Sequence, residues 1–176
     1  MSSASATIFA NNVQAYRDAG FWPRPVVLGE KRPPMKNWQV PDTGVSQETL
    51  QRWTSDYAEM GIGLVTGSLF PDGSRLGALD IDDDRFIRLA QAVLMNPPSG
   101  RVGARGIVFF VRVSAAEPNR TYSIKYGGET VKVGELLVDK KFCVLPPTIH
   151  PAGNPYRWVG TSLLDVDFAS LPLIED

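Results

Sequence analysis

The run Leu79-Asp80-Ile81-Asp82-Asp83-Asp84 closes an apolar stretch and carries the first residues able to do chemistry. On a strand, residues two apart point the same way, so Asp80 and Asp82 project together while Ile81 turns inward. Two carboxylates held that close repel unless a positive charge lies between them. A hard divalent cation, Mg²⁺ or Mn²⁺, answers that need. An Asp-x-Asp pair also fits a plain acidic turn after a strand, so the motif alone decides little. Glu135, within Val133-Gly134-Glu135-Leu136-Leu137-Val138, is a second candidate. An acid among apolar strand residues is costly to bury unless it is paired or metal-bound. The other option is an outward glutamate paired with Lys132 or Lys140.

A third feature is Val144-Leu145-Pro146-Pro147-Thr148-Ile149-His150-Pro151, followed by Gly153-Asn154-Pro155-Tyr156-Arg157-Trp158. It holds the single histidine. Proline rings lock φ, so the direction of His150 is fixed, which suits a residue presented to phosphate. A structural turn histidine fits the same pattern. Cys143 is the lone cysteine, which excludes an internal disulfide and a cysteine-built zinc site, and its apolar neighbours predict a buried thiol.

The elements that must hold these groups follow from pattern. Ile8–Ala19 has helical spacing, Arg24–Leu28 reads as a strand, and 29–44 is a long proline-bearing loop of the kind that often carries function. Ser46 suits an N-cap for a helix through Leu50, Trp53 and Tyr57. Strands are expected at 61–67, 75–82, 107–113, 120–125, 131–138, 142–145 and 156–159, with a helix at 84–95. Asn96-Pro97-Pro98-Ser99-Gly100 breaks the chain after that helix. Helices early and strands late predict an α+β domain around an antiparallel or mixed sheet. Residues 1–7 read as a flexible N-terminus, 8–160 as the domain, and 161–176 as a tail or the start of a linker.

At 176 residues the chain is long enough for one sizeable core. No apolar run approaches a membrane span and the start lacks a signal peptide's pattern, so a cytoplasmic location is expected. The net charge of −1 promises little general affinity for nucleic acid. Between Arg101 and Lys141, however, eight basic residues face four acidic ones, a local excess that could hold phosphates.

Taken in order, these features resemble the bifunctional DNA primase/polymerase (prim-pol) domain of the archaeo-eukaryotic primase superfamily. That domain opens many plasmid, phage and prophage replication proteins. The resemblance rests on Ala15-Tyr16 and Gly20, Lys31-Arg32-Pro33, Trp38, Trp53, Gly61-Ile62-Gly63 with Thr66-Gly67, Leu79-Asp80-Ile81-Asp82, Glu135, and the Pro-Pro-x-x-His-Pro…Tyr-x-Trp run. It covers about residues 13 to 158. It implies an RNA-recognition-like antiparallel or mixed catalytic sheet packed with a smaller α/β lobe. It also implies template-directed nucleotidyl transfer, as primase, polymerase or both, in the replication of a mobile element. Asp80, Asp82 and Glu135 would then be the catalytic carboxylates, holding Mg²⁺ or Mn²⁺. The implied partners are a single-stranded DNA template or primer-template, ribo- or deoxyribonucleoside triphosphates, and a helicase domain or protein.

One departure stands out. The family carries Ser-x-His or Gly-Gly-x-His on the strand before the third carboxylate, whereas this chain has Gly103-Ala104-Arg105-Gly106-Ile107-Val108-Phe109-Phe110. Arg105 and His150 are expected to grip the triphosphate instead, with Gly106, Lys31, Thr66 and Gly67 completing the nucleotide-binding set. The rival expectation is a catalytically inactive prim-pol fold that binds nucleotide or single-stranded DNA.

Overall fold

The computed structural model describes residues 7–175. The flexible N-terminus expected at 1–7 lies outside that range except for Thr7, which precedes the first helix. Phe9, Val13 and Tyr16 recur at helical spacing and are buried, giving α1 (Ile8–Asp18) one core-facing side. Ser46 caps α2 (Gln47–Asp56) by accepting the Thr49 N–H at 3.2 Å. Strand β1 (Trp22–Val26) starts earlier than its pattern suggested, and it includes Pro23 and Pro25. Prolines cannot donate to a ladder, so β1 lies at a sheet edge, paired only with β2 (Gly61–Val65). On its other side β2 pairs with β8 (Phe142–Leu145), completing a three-stranded antiparallel sheet.

The larger sheet runs β6 (Arg120–Tyr126), β7 (Glu129–Leu137), β3 (Arg75–Ile81), β5 (Ile107–Val113), β4 (Ser99–Val102), β9 (Arg157–Gly160). All these pairings are antiparallel, and β10 (Leu173–Ile174) adds a parallel contact at the far end of β5. Alternation divides this sheet into two faces. Leu76, Ala78, Val108 and Phe110 pack toward α1 and the smaller sheet. Leu79, Ile81, Phe109 and Leu136 pack on the other side with Ala90 and Leu94, from α3 (Ile87–Val93) and its end. The architecture is therefore mixed α+β with antiparallel sheets and few helices.

Three expectations need correction. The helix read over 84–95 splits into a 3₁₀ turn at Asp84–Phe86 and the shorter α3, because the Asp83 carboxylate accepts the Arg85 N–H and tightens the first turn. Strand β4 was hidden by the prolines just before it. Residues 161–175, read as a tail, pack into the domain: Leu163 and Leu171 are buried and Arg112 donates to the Leu171 and Ala169 carbonyls, each at 3.1 Å.

The long loop 29–44 is anchored chiefly by Arg24, with Arg17 adding a contact to Asp42 at 3.6 Å. Arg24, fully buried, donates to the Trp38 carbonyl at 2.9 Å, to Asp42 Oδ1 at 2.5 Å and to the Val40 carbonyl, and its guanidinium lies over the Trp53 ring. No helix among the described residues is long and apolar enough to cross a membrane.

Candidate functional site

The registers of five strands put one row of residues across a single face of the large sheet. Asp80 pairs with Glu135 on β7 and with Val108 on β5, Val108 pairs with Arg101 on β4, and Arg101 pairs with Trp158 on β9. Directly opposed residues share a face, so the row reads Glu135, Asp80, Val108, Arg101, Trp158. Two acids thus stand side by side with an arginine two strands away, all facing the smaller sheet. The expected acid Asp82 follows β3 on the same side.

A bulge completes this end of the row. Tyr122 opposes Gly134 while Ser123 opposes Lys132, which leaves Val133 as an extra residue in β7. Residues three apart on a regular strand face opposite ways; the bulge puts Lys132 and Glu135 on the same face. The Lys132 Nζ then lies 2.9 Å from Asp82 Oδ2 and 3.4 Å from Glu135 Oε1. Among the described residues no three carboxylate, histidine or cysteine side chains close on one point as a metal shell. Asp82 and Glu135 share an ammonium there instead. Carboxylate oxygens are the hard donors that a divalent cation takes.

Burial pushes the Asp80 carboxyl above its ordinary range; Arg101 opposes this, and the charges of Asp82 and Glu135 add to it. Backbone crowding fixes where Asp80 stands. A Cβ on Gly134 would lie 2.4 Å from the Asp80 carbonyl oxygen, and one on Gly106, whose φ is +68°, would lie 2.2 Å from that of Ile81. Only glycine permits that approach on both flanks of the acidic strand end. The other two aspartates of the run do structural work. Asp83 is held down to about 2 by hydrogen bonds from Arg85, and Asp84 Oδ1 accepts the Gly106 N–H at 2.9 Å, tying the 103–106 turn to the acidic segment.

Arg101 is the residue that sequence reasoning missed. Its guanidinium lies 4.8 Å over the Tyr156 ring and donates to Cys143 Sγ at 3.7 Å, while its Nε is buried with no protein partner among the described residues. The sequence counted it only within the basic stretch 101–141, as a charged residue between Gly100 and Val102 just after the Pro-Pro break. Cys143 is buried as expected, and burial raises its thiol.

His150 packs edge-on against Tyr156, the ring centroids 5.2 Å apart. Thr148 anchors the turn to β2, exchanging hydrogen bonds with the Ile62 backbone at 2.6 and 2.9 Å. The His150 N–H donates to the Asn154 carbonyl at 2.7 Å. Burial first, then the charges of Lys31 and Arg101, hold the imidazole below its ordinary value, so it is neutral near pH 7. Its Nδ1 accepts the Ala152 N–H at 3.0 Å, which puts the ring proton on Nε2 as a donor. Lys31, from the loop that Arg24 pins, lies within electrostatic reach of His150.

The structure therefore pairs Asp80 with Glu135 across β3 and β7, links Asp82 to Glu135 through Lys132, and sets His150 and Lys31 near Arg101. Arg105 is exposed on the turn tied to Asp84, close enough for its charge to act on Asp83. Thr66 and Gly67 are not brought to the acids. Gly67 donates to the Leu76 carbonyl near the start of β3, roughly 13 Å from Asp80 at about 3.3 Å per strand residue. Thr66 is buried, and its hydroxyl accepts the Lys141 N–H at 3.2 Å, a structural role.

Paired acids on adjacent strands, flanked by an arginine, a lysine and a neutral histidine, define a site suited to phosphate-bearing substrates and a counter-cation. The comparison with protein families places the chain. The model of the bifunctional DNA primase/polymerase N-terminal domain matches residues 13–174, nearly the whole chain, and the chain belongs to that family. The match reaches past residue 158, in keeping with the packed C-terminal segment. No curated protein matches the chain.

Proposed function

We propose that this domain is a metal-dependent nucleotidyltransferase that extends or starts DNA-templated strands, with the large sheet as an RNA-recognition-like catalytic platform. The observation that carries this reading is the row Glu135, Asp80, Val108, Arg101, with Asp82 beside it. Asp80, Asp82 and Glu135 would hold Mg²⁺ or Mn²⁺. Such a cation, when bound, neutralises the triphosphate and favours ionisation of the attacking 3′-hydroxyl. Arg101 supplies a guanidinium that cannot lose its charge, with an Nε free of protein partners among the described residues, on the side of Asp80 where the phosphates would lie. His150 offers an Nε2–H donor, and Lys31 adds charge from the pinned loop. Arg105 and Gly106 form the rim, where the turn is fixed by Asp84.

A second reading has one observation in its favour. Lys132 lies between Asp82 and Glu135, as it would in a fold that binds nucleotide or single-stranded DNA without reacting. Primer extension and de novo synthesis, run with Mg²⁺ or Mn²⁺ and each nucleotide pool, separate the two. Activity that disappears in Asp82→Asn supports the enzyme. Nucleotide binding with no incorporation under any of these conditions supports the binding module.

A further inference from the structure

The geometry points to Lys132 as a built-in competitor for the cation, an ammonium that a divalent ion must displace before it can bind Asp82 and Glu135. This inference rests on the reading of those acids as metal ligands. Three features carry it. The bulge at Val133 is what turns Lys132 to the acidic face. The ammonium contacts two acids from different strands at 2.9 and 3.4 Å, so it holds them at one place despite their repulsion. Finally, the Lys132 side chain is 42 % exposed on a flexible stem, so it can swing out to water without unfolding anything.

A lysine placed so has two opposed effects. It keeps the acids close together when no metal is bound, and it weakens the metal's hold, because binding must first break two charge-assisted contacts. A second positive charge left nearby also repels the incoming ion. The domain should therefore hold a bare divalent cation weakly.

Manganese binding to the folded domain, measured by calorimetry and by electron paramagnetic resonance without nucleotide, tests this. Lys132→Met should tighten Mn²⁺ binding on the order of tenfold or more. Lys132→Arg keeps the charge and should stay near wild type, while Lys125→Met, at the other end of the hairpin, controls for net charge. Unchanged or weaker Mn²⁺ binding by folded Lys132→Met overturns the inference, as does equal tightening in the Lys132→Arg or Lys125→Met variant. Should Lys132→Met not fold, Lys132→Arg against Lys132→Gln gives the same contrast. Asp82→Asn isolates the underlying reading: if it leaves Mn²⁺ binding intact, the acids are not the ligands, whatever Lys132 does.

Discussion

Replacing Gly134 by alanine would strike the site without touching any charged group. The new Cβ would lie 2.4 Å from the Asp80 carbonyl oxygen and 2.8 Å from Ile81 Cδ1. The isoleucine tip can rotate away, but the carbonyl belongs to the β3 backbone. Restoring ordinary contact at 3.4 Å requires β7 and β3 to part locally by about 1 Å. Glu135 is the next residue on β7 and pairs with Asp80, so it is carried away from its partner by a similar amount. Misplacing a reacting group by about 1 Å can cost roughly a hundredfold in rate. Overpacking of this kind costs about 1–3 kcal/mol of stability.

The assay is steady-state primer extension with Mn²⁺, alongside thermal unfolding, on Gly134→Ala and on Gly77→Ala. At Gly77, on β3 three residues before Asp80, a Cβ would meet Val113 Cγ1 at 2.9 Å. That variant should lose comparable stability while keeping most of its activity, because no acid of the site is moved. The expected outcome is a drop in kcat of about two orders of magnitude for Gly134→Ala alone. Wild-type kcat and metal dependence in a folded Gly134→Ala would refute the claim that this close approach sets the site. An equal loss in both variants would mean that stability, not geometry, was being read.

The parts of this fold that depend on local pattern were legible. The spacing of Phe9, Val13 and Tyr16 has one cause, a helix face, and the alternation around Asp80 has one cause, a half-buried strand. Ser46 and the Asp-Ile-Asp run carry their meaning in a few neighbouring residues. What escaped depends on register. Arg101 becomes a neighbour of Asp80 only when β3, β5 and β4 align, and no local signal announces β4, because Pro97 and Pro98 read as a break while the strand pairs through backbone groups. Lys132 and Glu135 lie three apart, a spacing that predicts opposite faces, and only the unpaired Val133 reverses that. The pairing of Glu135 with Lys132 was one of two options open in the sequence, and choosing between them needed the bulge. Thr66 and Gly67 lie apart from the acids. A Thr-Gly turn after a strand suits phosphate, but its position at the far end of β3 follows from how β2 and β3 pack, which no motif encodes. Residues 161–175 misled because single buried leucines, Leu163 and Leu171, anchor a segment with little periodicity.

Arg24→Ala should unfold the domain at markedly lower denaturant, by about 3–5 kcal/mol, since it leaves buried Asp42 with only the longer Arg17 contact at 3.6 Å and frees the loop that carries Lys31; urea titration checks this, and a cost under about 1 kcal/mol would contradict it. Arg101→Gln should weaken binding of a non-hydrolysable nucleotide by roughly tenfold or more, given about 1.5–3 kcal/mol for a charged hydrogen bond, while Thr66→Val should leave that affinity unchanged; calorimetric titration of both proteins decides it. Binding of single-stranded DNA should be weak and fall steeply with salt, as few phosphates can be neutralised, and tight binding at physiological salt by fluorescence anisotropy would oppose it. Asp80→Asn should abolish incorporation yet stabilise the metal-free domain near pH 7. Burial, outweighing Arg101 and reinforced by Asp82 and Glu135, raises this carboxyl in the folded state, so its stabilising, protonated form is complete below the unfolded value of about 3.9 and is lost as pH rises through the folded value. Asparagine keeps the shape without the charge, so its Tm should exceed wild type at neutral pH, with the gap closing toward about pH 3 as Asp80 becomes protonated in both states. Added Mn²⁺ should reverse the order by stabilising wild type alone. An Asp80→Asn variant that melts below wild type at neutral pH without metal would show that Arg101, not desolvation, governs this carboxylate.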